Sequence, residues 1–210
     1  MQSPYLSIDI ETSSLHPSQG QVLELAVIID DLAVKVDKTK LNEYIEQLPK
    51  FHCYIKHSNV IGEHYAVSMH NRIWQKLTKE PIETLDLLPN NSVIYDNKVY
   101  IYLAKFLTHY NVITKENNTV VVAGKNVAGF DIPWLKTIYG FANMNSDSLF
   151  KFAHKTIDPA MFYLNPTDKR PPSLDECLQR AGLLKSVSHC ALDDAADVIR
   201  CLKRSSLYNY

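Results

Sequence analysis

Leu6-Ser7-Ile8-Asp9-Ile10-Glu11 alternates apolar and polar side chains at the two-residue period of a β-strand. Leu6, Ile8 and Ile10 share one face, and Asp9 and Glu11 share the other. Two carboxylates therefore stand side by side on a strand apolar enough for a core. Like charges held this close in a partly buried setting raise each other's pKa and destabilise the fold unless a cation offsets them. Hard oxygen donors of this kind suit Mg²⁺ or Mn²⁺. Taken alone, the pair reads equally well as two acids at an exposed strand end.

Outward from this strand, a second apolar run covers Val22 to Ile29. The turn-rich Ser13-Ser14-Leu15-His16-Pro17-Ser18-Gln19-Gly20 separates it from Tyr5 to Ile10, so the two read as adjacent strands. Phe51-His52-Cys53-Tyr54-Ile55-Lys56 predicts a third strand, the β-branched Thr119 to Ala123 a fourth that ends at Gly124, and Lys155-Thr156-Ile157 a fifth. Helical spacing appears at Met69, Ile73 and Leu77, in Tyr102 to Leu107, in Ile132 to Tyr139, in Leu174 to Ala181, and at Leu192, Ala195, Ala196, Ile199 and Leu202. Gly140 and Gly182 fall where helix C-caps belong. Strands early, helices late and helices between the later strands predict an α/β domain, a mixed sheet with helices on both faces.

Residues 31–50 occupy a place where a short hairpin would suffice. Leu41, Tyr44, Ile45 and Leu48 have the spacing of a short amphipathic helix, which reads as an insertion on a hairpin, packed on its own domain in preference to docking a partner. Residues 86–98 and 165–172, rich in Asn, Asp and Pro, read as loops.

Length and composition set the frame. With 210 residues and 46% hydrophobic content, the chain can bury one sizeable core, and a single domain over residues 1–210 is expected. No run reaches the roughly 18 apolar residues of a membrane span, and Met1-Gln2-Ser3-Pro4 lacks the basic then apolar layout of a secretory signal. A soluble, cytoplasmic protein with no membrane partner is expected. Cys53, Cys177, Cys190 and Cys201 form no C-x-x-C pair, which argues for reduced thiols as core filler rather than a disulfide framework or zinc site. A formal net charge of -1 excludes a global basic field, so any contact with nucleic acid is expected to be local.

Two further segments carry acids. Gly124-Lys125-Asn126-Val127-Ala128-Gly129-Phe130-Asp131 follows the fourth strand and opens a helix, which puts Asp131 near the carboxyl end of that strand, where open α/β sheets commonly bind ligands. An Asp N-cap before Ile132-Pro133 is the competing explanation. His189-Cys190-Ala191-Leu192-Asp193-Asp194 leads into the last helix, with Asp194 in its first turn. Acids favour a helix N-terminus whatever the function, and a lone His there is usually structural.

The three segments in this order, D-x-E, N-x-x-x-F-D and H-x-A-x-x-D, resemble the motifs of the DEDDh branch of 3′-to-5′ exonucleases. That branch includes the proofreading subunit of bacterial DNA polymerase III, ribonuclease T and oligoribonuclease. The likeness spans nearly the whole chain, because Phe51 to Lys56 resembles the family's third strand, Ala66 to His70 the segment ending in a His that follows it, and Ser173 to Gly182 its penultimate helix. The resemblance implies a ribonuclease H-like fold with a five-stranded mixed sheet whose second strand is antiparallel to the rest. It implies two Mg²⁺ or Mn²⁺ ions held by Asp9, Glu11, Asp131 and Asp194, with His189 as general base. Thr12 and Leu15 would meet the terminal 3′-hydroxyl and the last base, although Ser13-Ser14-Leu15 stands where Thr-Gly-Leu is commoner. Asn126 and Phe130 would shape the nucleotide pocket. The implied substrates are single-stranded or frayed 3′ ends of DNA or RNA, trimmed alone or beside a polymerase or other protein partner.

Two rivals share the fold. A catalytically silent binding or scaffold module would not need the intact acids and His189, and an endonuclease of the ribonuclease H type would not need the H-x-A-x-x-D arrangement. Other polar residues read as structural: Asp158 as an N-cap before Pro159, Asp193 as a helix-dipole acid, and Lys203-Arg204 as a favourable helix-end charge or a phosphate contact. Trp74 and Trp134 read as core or pocket wall in preference to base-stacking platforms.

Overall fold

The computed structural model describes residues 3–81, 90–145, 147–183 and 186–206. In chain order the elements are β1 (Pro4–Thr12), β2 (Val22–Asp31), α1 (Leu41–Gln47), β3 (Lys50–Lys56), α2 (His64–Met69), α3 (Asn71–Lys79), β4 (Asn90–Tyr95), α4 (Asp96–His109), β5 (Thr119–Ala123), α5 (Asp131–Leu135), β6 (Lys151–Phe152), α6 (Ala160–Tyr163), α7 (Leu174–Arg180) and α8 (Ala191–Arg204). The strands form one six-stranded sheet in the order β4-β3-β2-β1-β5-β6. β2 runs antiparallel to both of its neighbours, and the other pairings are parallel.

The alternation in β1 divides the core. Leu6, Ile8 and Ile10 join one cluster with Val99, Leu103, Trp134 and Phe141, under α4 and α5. Tyr5, on the other face, joins a second cluster with Leu178, Ala195, Val198, Ile199 and Leu202, under α7 and α8. Helices thus cover both faces, as expected for a mixed sheet. Each fully buried Leu, Ile or Phe contributes roughly 1.5–3 kcal/mol, so β1 and β2, apolar and shared by both layers, anchor the fold.

The sheet corrects two expectations. The stretch 86–98 was expected as a loop, yet Asn90–Tyr95 is the edge strand β4, paired parallel to β3; residues 86–89 lie outside the described part. Val93 and Ile94 are buried within it, and the flanking Asn and Asp residues dilute that short apolar signal. The strand expected at Lys155 to Ile157 is split. Lys151–Phe152 pairs with Thr119–Val120, and Ile157 rejoins Ala123 by an isolated bridge after a detour through Ala153 to Thr156. Six strands therefore stand where five were expected.

Local details follow from sequence. α7 starts with a capping box: Glu176 N–H donates to the Ser173 hydroxyl at 3.3 Å, and Ser173 N–H donates to the Glu176 carboxylate at 2.6 Å. Gly182, at φ 73°, ends it, with Leu183 N–H bonded to Leu178 O and Gly182 N–H to Gln179 O. In α1, Leu41 and Ile45 are buried and join the cluster under α8. Lys203 is not a surface cation: it is 3 % exposed, 3.1 Å from the Asp30 carboxylate, and donates to the carbonyls of Asp31 and Val34. Tyr5 and Tyr44 donate to that same Asp30, so one buried acid ties β1, α1 and α8 together. Trp134 is fully buried, and all four cysteines are free thiols. Among the described residues no helix is long and apolar enough to cross a membrane.

Candidate active site

Ser7 fixes the direction of the acids on β1. Its hydroxyl donates to Ala195 O in α8 at 2.7 Å, and by the strand period Asp9 and Glu11 continue on that face toward the first turn of α8, where Asp194 is 5 % exposed. Asp131 arrives from the neighbouring strand. β5 pairs parallel to β1 through Leu6 and Val122, and the chain then turns at Gly124, where an added Cβ would lie 2.8 Å from Ile8 O. No side chain fits in that approach. The turn continues through Asn126 at φ 55° and delivers Asp131, 3 % exposed, as the first residue of α5. The N-cap of α5 is Phe130 and no side chain caps the helix, so Asp131 is not the N-cap that would explain it without chemistry.

The electrostatics record the crowding. Burial pushes Asp9 well above the usual carboxylate range, and Asp131, Glu11 and Asp194 push it further. Glu11 is raised from 4.5 to about 8, by burial and then by Glu24 and Asp194, with Arg72 opposing. Asp131 is raised to about 7 by burial, against backbone hydrogen bonds that lower it. Donor atoms of Glu11, His189 and Asp194 lie within 4.8 Å of one another, a group that can hold a metal ion. Asp9 and Asp131 stand outside that tight group, and Asp131 is the strongest charged influence on Asp9. Oxygen-rich, partly buried and repelling itself at neutral pH, this donor set fits a hard divalent cation.

His189 precedes α8 at φ 52°, a left-handed conformation that non-glycine residues seldom adopt. It is exposed and lines a cleft of ≈ 260 Å³ together with Glu11, Thr12, Leu15, His70 and Phe130. Leu15, 71 % exposed, lies on its rim. Asn126 lies outside this lining; its N–H donates to the Asp158 carboxylate at 2.9 Å. The second oxygen of Asp158 accepts Ala160 N–H at 2.8 Å, so the residue read as an N-cap also braces the loop that carries Asp131. Asp193 is exposed, and the Ser188 hydroxyl that donates to it at 3.2 Å also reaches the buried Asp194 at 3.4 Å.

Ser13 and Ser14 are buried and bonded to the segment before α2. Glu63 N–H donates to Ser13 O at 2.7 Å, and the Ser14 hydroxyl donates to the Glu63 carboxylate at 2.9 Å. A Cβ on Gly62 would meet Ser13 at 2.5 Å, so the two segments touch backbone to backbone.

Sequence reasoning missed Glu24. It is fully buried, opposite Glu11 in the β1–β2 register. Arg72 grips both of its oxygens at 3.1 and 2.7 Å, His52 Nε2 lies 2.7 Å away, and Ala191 N–H donates at 3.4 Å. Burial alone would raise its pKa, yet the hydrogen bonds from His52 and Arg72 hold it below its ordinary value. Glu24 thereby links α3 to the start of α8, two residues after His189. A single acid inside the apolar run Val22 to Ile29 was the available signal. His70, at 3.6 Å from the Glu11 carboxylate, completes the wall.

No protein-family model matches the chain, and no curated protein aligns with it. Solved structures do. The nuclease domain of 3′hExo, described as a DEDDh family member bound to rAMP, superposes with a TM-score of 0.63 over 96% of this chain and 90% of its own, at 15% identity. The chain shares the DEDDh nuclease fold. E. coli exonuclease I gives a TM-score of 0.59 at 17% identity over 100% of this chain and 43% of its own, and its complex with a dT13 oligonucleotide gives 0.55 at 16% identity, covering 96% and 40%. This chain therefore spans less than half the length of the exonuclease I structures it matches.

Proposed function

We propose that this chain is a metal-dependent 3′-to-5′ exonuclease that releases nucleoside 5′-monophosphates from single-stranded or frayed ends of DNA or RNA. The observation that carries the proposal is the convergence of Asp9, Glu11, Asp131 and Asp194, where burial and the neighbouring acids hold Asp9 and Glu11 well above the usual carboxylate range beside His189 and an open cleft. Such a cluster costs stability without a cation, and the fold it sits in is shared with a structure described as exonuclease I and with one described as a DEDDh nuclease domain.

Asp9, Glu11, Asp131 and Asp194 would hold two ions, four carboxylates being enough to share between a pair of hard cations. Divalent cations, when bound, supply a water of lowered pKa and neutralise charge on the leaving 3′-oxygen. His189, exposed at the cleft and close to Glu11 and Asp194, would serve as the general base that accepts a proton there. Leu15 and Phe130 offer apolar surface to the terminal base, and Thr12, which lines the same cleft, would meet the terminal 3′-hydroxyl. Asn126 in this scheme acts on the Asp131 loop rather than on the nucleotide.

The test is a digestion series on end-labelled single-stranded DNA, single-stranded RNA and mismatched duplex, with and without Mg²⁺. Stepwise shortening from the 3′ end that requires Mg²⁺ and is lost in Asp194→Asn is expected. Cutting of a circular strand would contradict the proposal in favour of an endonuclease, and inertness on every substrate would favour a silent module.

A further inference from the structure

Beside α5 lies a second cleft, of ≈ 440 Å³. Ala128, Ile132 and Lys136, four residues apart, form one wall, and the edge strand β6 with the residues after it supplies Lys151, Phe152 and His154. Lys136 and His154 are exposed and Lys151 is half-buried. No carboxylate lines the cleft, and among the described residues none of these three cationic or ionisable groups is paired with an acid. Phe152 is only partly buried and stacks on Phe141 at 6.0 Å, which leaves an apolar floor between the charges.

We infer that this cleft holds the sugar–phosphate chain upstream of the scissile end, with Lys136 and Lys151 on phosphates and Phe152 under a base. The inference rests on the exonuclease proposal and adds to it the path of the strand. The clefts are neighbours in the chain: Phe130 lines the first, Ile132 the second, and Asp131 lies between them. A protein of net charge -1 has no general attraction for a polyanion, so affinity for a longer strand must come from a local concentration of cations with an aromatic surface. A competing role exists for Lys151, because a charge on an edge strand guards against edge-to-edge pairing. Substitution by Glu keeps that guard and reverses the attraction.

The experiment measures the anisotropy of labelled single-stranded DNA and RNA of about 20 nucleotides, without divalent ions, across a salt series, with wild type and Lys136→Glu/Lys151→Glu. At about 0.7 per phosphate contact, loss of two contacts flattens the slope of log affinity against log salt by about 1.4 and weakens binding at least about tenfold. The Lys136→Gln/Lys151→Gln variant is expected to fall between the two. Turnover of a p-nitrophenyl ester of thymidine 5′-monophosphate, which needs only the first cleft, is expected to stay within about twofold of wild type. Equal binding and equal salt slopes in wild type and variant overturn the inference, as does a wild type with no affinity for either strand. A parallel loss of ester turnover also overturns it, since the lysines would then serve the first cleft. If binding responds as expected while wild type hydrolyses nothing, the strand path stands and the exonuclease proposal falls.

Discussion

His189 is held in the left-handed region beside two acids it can share a cation with, and its assignment as base rather than ligand is open to measurement. His189→Ala is expected to lower turnover by roughly 10²–10⁴-fold while Mn²⁺ still raises its Tm. A loss of that thermal shift as large as in Asp131→Asn would make His189 a ligand. Glu11 gives a second prediction. Its carboxyl titrates at about 8 in the folded state against 4.5 ordinarily, so between those values the folded protein keeps a proton the unfolded chain has lost. Metal-free stability therefore falls as pH rises through that window, by up to a few kcal/mol. Addition of Mg²⁺ offsets the repulsion, and the gain in Tm on adding it is expected to be larger near pH 8 than near pH 6. A gain that shrinks as pH rises would contradict the coupling. Asp9, Glu11, Asp131 and Asp194 could be singled out as candidates because each sits in a recognisable local pattern. Glu24 was not, because its importance comes from Arg72 and His52, which only folding brings to it.

Between α3 and α8, Glu24 is a positioning residue: it bonds Arg72, two residues after His70, and Ala191, two residues after His189. Arg72→Met leaves a buried carboxylate with His52 as its remaining side-chain partner. We expect a loss of about 2 kcal/mol in urea unfolding, discounted from the cost of breaking a fully buried pair because the Arg72 side chain is 42% exposed. Glu24→Gln/Arg72→Met is expected to regain part of that loss, since no charge is then stranded, whereas additive losses would show that the pair is not coupled. The long apolar or helically periodic elements, β1, β2 and α8, were plain in the sequence. β4 and β6 were not: they are short edge strands whose apolar content is small, and their pairing depends on neighbours far away in sequence.

Across the whole molecule, the sheet order brings together residues as distant as Asp9 and Asp194, and it does so by folding α8 back over β1 and β2. The arrangement of layers and the antiparallel β2 followed from the pattern of strands and helices together with the resemblance of the motifs. The second cleft beside β6 was invisible beforehand, because the residues that line it carry no motif and meet through the chain's return along β5. In the proposed reading, the clustered carboxylates are a cation site held partly protonated until the ion arrives. That reading is tested most directly by a Mn²⁺ titration near pH 7 in weakly buffered solution, reading bound ion and released protons together. With Glu11 at about 8 and Asp131 at about 7, binding is expected to release one or more protons, and Asp131→Asn is expected to weaken it at least about tenfold. Absence of binding, or binding that frees no protons and ignores the substitution, would contradict it.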